Sequence, residues 1–293
     1  MSEGKVRLGK LVNLLTAAGV VWGGAAIAAP AVSLPSSPEV IAPRLYVLDC
    51  GTLVYNRPEF YNLTRDEVKD TNMPVTCYLV VHPKGTLLYD TGLSDSLVGR
   101  PLYENIQVGY AQIKFNTLRG QLAEIGVAPK KVDYLVISHW HFDHTGNAND
   151  YADAKWLGYQ AERNEMFGPE ARKSPTFQDY AALEQSKFVA INGEYDVFDD
   201  GTVKVIPTPG HTPGHSSLFV KLKNTGPIVL SGDLYHYEEE RTLNRMPDRE
   251  KTAGTPESRA AVEALLKKTG ANLWVGHSME FFKNVRKAPS WYD

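Results

Sequence analysis

Within six residues, His139-Trp140-His141-Phe142-Asp143-His144 sets three imidazoles beside a carboxylate. Imidazole nitrogen and carboxylate oxygen are the usual ligands of zinc and similar ions. Without an ion, such a crowd would repel when protonated and lose hydration when buried. The cluster therefore reads as a metal site. In an extended chain, residues two apart point the same way, so His139 and His141 can grip one ion. Asp143 and His144 lie just past them, where the chain turns, and can face a second. Farther along, His211 supplies a third nitrogen to the first ion and His277 one to the second, while Asp233 can bridge both. A pair of cations about 3.5–4 Å apart turns a shared water into hydroxide at neutral pH and polarises a substrate oxygen, which is hydrolytic chemistry. A mononuclear site with Asp143 outside the ligand set is the alternative. His82 and His215 stand alone and read as ordinary satisfied histidines.

The elements around these residues explain how they could meet. Short apolar runs end at each of them: 132–137 before His139, 203–206 before His211, 228–231 before Asp233, and 273–275 before His277. Runs of this kind read as strands. Helical patterns lie between, at 118–126, across 161–185, and at 256–269, where Pro256 opens the helix and Gly270 closes it. Strand ends along one edge of a layered α/β structure can gather residues that are distant in sequence. A first strand is expected at 44–50, followed by a long loop over 51–72. Next come a hairpin of 75–82 with 85–89 ending in the acidic turn Asp90-Thr91-Gly92, and an irregular stretch over 93–116. Strands at 188–191 and 195–198 precede the rigid loop Pro207-Thr208-Pro209-Gly210-His211-Thr212-Pro213-Gly214-His215, and a strand at 217–220 follows it.

The chain has 293 residues, 43% hydrophobic and 22% charged, enough to bury a sizeable core without covalent staples. Its formal net charge of −3, with no basic run, gives no general attraction to nucleic acid or anionic lipid. Residues 1–35 read as a secretory leader and tether, and 36–293 as the functional domain. Lys5, Arg7 and Lys10 precede an apolar stretch over 11–29 with small-residue exits at Ala26-Ile27-Ala28 and Ala29-Pro30-Ala31. An uncleaved anchor is the competing reading, disfavoured by the high Ala and Gly content. The leader holds those three basic residues and acidic Glu3, so its removal takes the charge from −3 to −5. The expected location is periplasmic or secreted, with no stable membrane association after cleavage and room for a homodimer. Cys50 and Cys77 are too few for a disulfide framework and read as two free thiols, with a single bridge between them as the alternative in an exported protein.

The signature at 139–144, with His211, Asp233 and His277 downstream, resembles the metallo-β-lactamase superfamily. That resemblance implies a four-layer αββα sandwich with two zinc ions at one edge of its sheets: His139, His141 and His211 on one, Asp143, His144 and His277 on the other, Asp233 bridging. Within the superfamily, residues 209–219 and 73–79 are most similar to the N-acyl homoserine lactone lactonases. These relatives imply a small-molecule lactone substrate, opened in a quorum-quenching reaction by a metal-bridging hydroxide, with Asp143 passing a proton to the leaving ring oxygen. In those enzymes a Tyr shortly after the bridging Asp hydrogen-bonds the substrate carbonyl. Here that place is His236, beside Tyr235 and Tyr237, so the donor is Tyr235 or His236. The aromatic segments 51–61 and 103–115 are candidates for the acyl groove, or simply core. Another ester, thioester or phosphoester substrate, as in glyoxalase II, is the nearest rival, although the chain ends sixteen residues after His277 and has no helical extension. A non-catalytic metal-binding module is the other rival.

Overall fold

The computed structural model describes residues 40–54, 57–105 and 110–293. The leader expected over 1–35 lies outside the described residues. Among those described, no helix is long and apolar enough to cross a membrane.

The chain opens with strands β1 (Arg44–Val54), β2 (Met73–His82), β3 (Gly85–Tyr89), β4 (Tyr103–Asn105) and β5 (Tyr110–Ile113), then helix α1 (Leu118–Glu124). It continues through β6 (Tyr134–Val136), α2 (Phe142–Thr145), β7 (Lys155–Gly158), α3 (Gln160–Met166) and β8 (Lys187–Ala190). The second half runs β9 (Tyr195–Asp196), β10 (Val203–Pro207), β11 (Ser216–Leu222), β12 (Gly226–Leu230), α4 (Glu238–Thr242), α5 (Thr255–Thr269), β13 (Asn272–Trp274) and α6 (Met279–Asn284). The strands form two sheets, ordered β4-β5-β1-β2-β3-β6-β7-β8 and β13-β12-β11-β10-β9.

Alternation along the strands builds the layers. In β1, Leu45 and Val47 face the second sheet, whereas Tyr46 and Leu48 face outward into a separate apolar cluster. In β11, Leu218 and Val220 join the core between the sheets, while Phe219 packs on the outer face with Val262 and Leu266 of α5. Successive side chains on a strand point to opposite faces, so a sheet that is apolar on both faces needs a layer on each. The outer cluster on the first sheet is closed by Leu118 and Leu122 of α1 and Met166 of α3. The result is the four-layer αββα sandwich expected from the sequence.

Four expectations change. The first strand runs on to Val54, with a register shift between Asp49 and Thr52, so the loop predicted from residue 51 starts later. The stretch 93–116 holds β4 and β5, paired with each other, and β5 pairs with β1. The segment 161–185 is helical only over α3; beyond it come the single 3-10 turns Ala171–Lys173, Phe177–Asp179 and Ala181–Gln185. Gly168-Pro169 and Pro175 interrupt the i to i−4 ladder there, and turns of this kind need only three residues each.

The fourth concerns the cysteines, which are bonded to each other as Cys50–Cys77 rather than free. They lie on paired strands, with Leu48 opposite Cys77 in the β1–β2 register and a Cα–Cα separation of 5.9 Å. Gly92 covers the bridge at φ +70°, where a Cβ would sit 2.3 Å from the Cys50 Cβ. The covalent link thus underlies the turn that carries Asp90. The cysteines are 27 residues apart, and the chain-entropy picture gives such a closure about 3–4 kcal/mol. Urea unfolding should show the Cys50→Ser/Cys77→Ser variant losing that much, with reductant lowering the wild-type midpoint similarly. A midpoint indifferent to both would show that the bridge does not form.

Candidate metal centre

The strand ends meet at one edge of the sandwich. β6 runs into the loop carrying His139 and His141, and α2 follows at once with Asp143 and His144. β10 leads to His211, β12 to Asp233, and β13 to His277. The Nε2 atoms of His139 and His211 lie 2.9 and 3.0 Å from Nδ1 of His141. Asp233 sits between two groups of donors. Its Oδ2 is 3.5 Å from His139 Nε2 and 3.4 Å from His211 Nε2, and its Oδ1 is 3.3 Å from His144 Nε2 and 3.2 Å from His277 Nε2. Asp143 Oδ2 is 3.5 Å from both His144 Nε2 and His277 Nε2. Each group, His139-His141-His211-Asp233 and Asp143-His144-His277, has its ligand atoms within 4.8 Å of one another. The structure brings all seven residues singled out in the sequence into one cluster.

Fixed acceptors orient the rings from behind. His144 Nδ1 donates to Asp90 at 2.9 Å, His211 Nδ1 to Glu250 at 2.8 Å, and His277 Nδ1 to the Pro74 carbonyl at 2.8 Å. A ring whose outer N–H is engaged presents its inner lone pair, the arrangement behind histidines that bind metal. Asp90 also accepts from the Ser138 amide and hydroxyl, at 2.6 and 2.8 Å. His215 belongs to this framework rather than to the donors, because its Nε2 accepts from the Asp233 amide at 2.9 Å. His82 lies apart, stacked on Phe198 and facing Asp200.

The electrostatics match these roles. Burial, reinforced by neighbouring histidines, pushes His141 down to about 3 and holds His139 and His211 well below the usual imidazole range, so all three are neutral bases. Burial acts the same way on His144 and His277, but the Asp233 and Asp143 carboxylates outweigh it and raise both. Among the described residues, His144 Nε2 and Asp233 Oδ1 are buried without a hydrogen-bond partner. A buried carboxylate oxygen and imidazole nitrogen left without a hydrogen bond fit a cation, which satisfies both where no hydrogen bond does. The residues therefore suit divalent metal, one position in each group.

A model of the metallo-beta-lactamase superfamily matches residues 70–277, a span containing every donor described above. The chain belongs to that superfamily. Among known proteins it is similar to the N-acyl homoserine lactonase AttM of Azorhizobium caulinodans, at 28% identity over 269 residues, 85% of this chain and 98% of that protein. It is similar to AttM of Rhizobium radiobacter at 30% identity over 267 residues, with the same coverage of 85% and 98%. The crystal structure of a quorum-quenching N-acyl homoserine lactone hydrolase superposes with a TM-score of 0.70 and 25% identity, over 85% of this chain and 97% of that one.

A cavity of about 590 Å³ opens over this donor cluster. His141, Asp143, His211, Asp233 and His277 line it, with apolar walls from Leu53, Met73, Trp140 and Phe142. Of the two segments proposed for an acyl groove, 51–61 contributes Leu53 and Tyr61; among the described residues, none of 103–115 lines the cavity. His236 is at the cavity, its Nε2 3.4 Å from Asp233 Oδ2 and its ring 4.4 Å from that of Tyr61. Tyr235 is not. It points to the outer layer, where its hydroxyl lies 3.4 Å from Glu263 and Arg259 covers its ring. Along an extended backbone, neighbours point oppositely, so only one of the two could face the cavity.

Sequence reasoning missed four acids. Asp90 was visible only as an acidic turn, while Glu162, Glu240 and Glu250 lie in segments that read as ordinary polar helix or loop. Glu162 on α3 accepts from the Trp140 amide at 2.7 Å, the Thr212 hydroxyl at 2.7 Å and the Gly214 amide at 2.9 Å. Burial pushes it up to about 7 while those hydrogen bonds pull the other way. Elemental analysis of purified protein is expected to give two divalent ions per chain, removable by chelators. A clean value of one would leave a mononuclear centre.

Proposed function

We propose that this protein is a dinuclear zinc hydrolase that opens the ring of N-acyl homoserine lactones. The observation that carries this reading is Asp233, with one oxygen toward each donor group in a cavity lined by both polar and apolar side chains. The nitrogen-rich donor set suits zinc. The similarity to N-acyl homoserine lactonases over 85% of the chain supports the substrate class. Two cations bound there would polarise an ester carbonyl and bring the pKa of a bound water to about 7.

The protein's own groups do the rest. His139, His141 and His211 form one neutral nitrogen face, and Asp143, His144 and His277 form a second face of mixed nitrogen and carboxylate donors. His236 takes the place at which related lactonases carry a Tyr, as the donor to the lactone carbonyl oxygen. Its backbone N–H, at 2.5 Å, and its Nδ1, at 3.2 Å, are both held by Glu240. Arg259 donates to the other Glu240 oxygen at 3.1 Å. Burial opposes protonation of His236, but Glu240 and Asp233 outweigh it and raise the ring to about 10, so an N–H faces the cavity. A donor fixed before the reaction loses nothing to reorganisation as charge develops on the oxygen. Asp143 lines the cavity beside His277, where its carboxylate can take the proton released by the attacking water and pass it to the departing ring oxygen. Leu53, Met73, Trp140 and Phe142 offer the apolar surface that an acyl chain needs.

A hydrolysis panel tests the assignment: acyl homoserine lactones of several chain lengths against simple lactones, thioesters, a β-lactam and a phosphodiester. Acyl homoserine lactones are expected to give the highest kcat/KM; a thioester or phosphodiester in first place would replace the substrate. Asp233→Ala should abolish turnover with circular dichroism unchanged. His236→Phe should lower kcat roughly 10²–10³-fold, the usual loss for one oxyanion donor, with a smaller change in KM.

We also propose that the protein is exported after cleavage of its leader. The basic start and apolar run of the leader support this, as does the Cys50–Cys77 bridge, a feature of oxidising compartments. N-terminal sequencing of protein from the native host should begin near Ala29 or Val32; a chain starting at Met1 would overturn export.

A further inference from the structure

We propose that the two cation positions differ in one outer support, and that Glu162 is a positioning residue for only the one formed by His139, His141 and His211. The proposal rests on the reading of the cluster as a two-metal centre. It adds that one buried acid, outside the donor set, decides whether the first position can be filled while the second stays intact.

The three imidazoles of that position come from two loops with no chain continuity: 138–141 after β6 and 207–215 after β10. Their nitrogens converge to 2.9–3.0 Å, so a shift of one loop by a fraction of an ångström spoils the geometry. Glu162 is 2% exposed and holds both loops with one carboxylate. Its Oε1 takes the amide of Trp140, the residue between His139 and His141. Its Oε2 takes the hydroxyl of Thr212, next to His211, and the amide of Gly214. The contact is closely fitted: a Cβ on Gly214 would lie 2.4 Å from the Glu162 amide nitrogen and 2.6 Å from its Cβ. The start of α3 is therefore seated against the 207–215 loop, and the acid bonds the 138–141 loop from the same point.

The second position hangs on other groups. Asp90, from the end of β3, holds His144, and the Pro74 carbonyl in β2 holds His277. Asp143 and His144 ride on α2, whose backbone is tied to the β3 turn by the Thr91 amide donating to the His144 carbonyl at 2.8 Å and by the Gly146 amide donating to the Gly92 carbonyl at 2.8 Å. Among the described residues, Glu162 makes no hydrogen bond to Asp143, His144 or His277. Loss of the Glu162 carboxylate thus removes the tie between Trp140 and the Thr212–Gly214 segment beside the metal-facing histidines, while the Ser216 amide on the Ser138 carbonyl and the β3 and β2 anchors stay in place.

Glu162→Ala removes both acceptor oxygens. Glu162→Gln keeps the volume but turns one oxygen into an NH₂ that confronts an N–H or O–H donor. After dialysis against a weak chelator, wild type should hold two ions per chain and Glu162→Ala one. Chelator competition on Glu162→Gln should show one ion weakened about 10–100-fold, the usual effect of losing an outer hydrogen-bond partner, and the other unchanged. The ion kept by Glu162→Ala should disappear when His277→Ala is added and survive the addition of His211→Ala. Circular dichroism reports folding, and if the alanine variant misfolds, the glutamine variant decides. Two ions of unchanged affinity in Glu162→Gln, or the loss of both from a folded variant, would overturn the proposal. Wild type that binds no cation would instead overturn the two-metal reading beneath it.

Discussion

Five histidine rings and two carboxylates meet at one edge of this protein, and their lone pairs must point inward. A buried imidazole is tolerated when both nitrogens are satisfied. Here the outer nitrogen of His144, His211 and His277 is fixed by Asp90, Glu250 and the Pro74 carbonyl. The inner nitrogens are left facing one another and Asp233. That arrangement is costly for a protein without cations and well suited to one with them. The outer anchors explain why so many further acids are buried nearby, and why the Asp90 turn rests on a disulfide.

The fold answers the same constraint from the backbone side. The central strands of the two sheets are apolar on both faces, and this packing holds the strand ends that carry the site. β6, β10, β12 and β13 end at the same edge, and the loop after each carries ligand candidates. Placing the donors on short loops at the ends of rigid strands holds them closely without giving any of them to the core.

The floor of the cavity reads as a metal hydrolase; its walls and rim make it particular. His236 stands where related lactonases carry a Tyr, and the protein surrounds it with Glu240 and Arg259, both buried. At that place Glu240 holds His236 through both its Nδ1 and its backbone N–H. Breaking a buried pair of this kind typically costs 3–5 kcal/mol, so the Glu240–Arg259 contact couples the position of His236 to the packing of α5. Chemistry at the cavity and stability of the outer helical layer are thereby linked.

The sequence by itself determined the donors. Short-range spacing at 139–144 and apolar runs ending in His or Asp are local patterns, and local patterns survive in one dimension. They yielded the layered class and all seven ligand candidates, while the place of His236 followed only from the resemblance to the lactonases. Only the tertiary structure put His236 rather than Tyr235 at the cavity, because the direction of a side chain after a strand end depends on where the backbone turns. It also bonded Cys50 to Cys77, since adjacency on paired strands is invisible from a separation of 27 residues. Asp90, Glu162, Glu240 and Glu250 had no signature for a similar reason: each acts on a partner through a hydrogen bond whose meaning lies in burial. An acid in a polar helix and an acid that holds a metal loop are the same letter until the fold removes water from one of them.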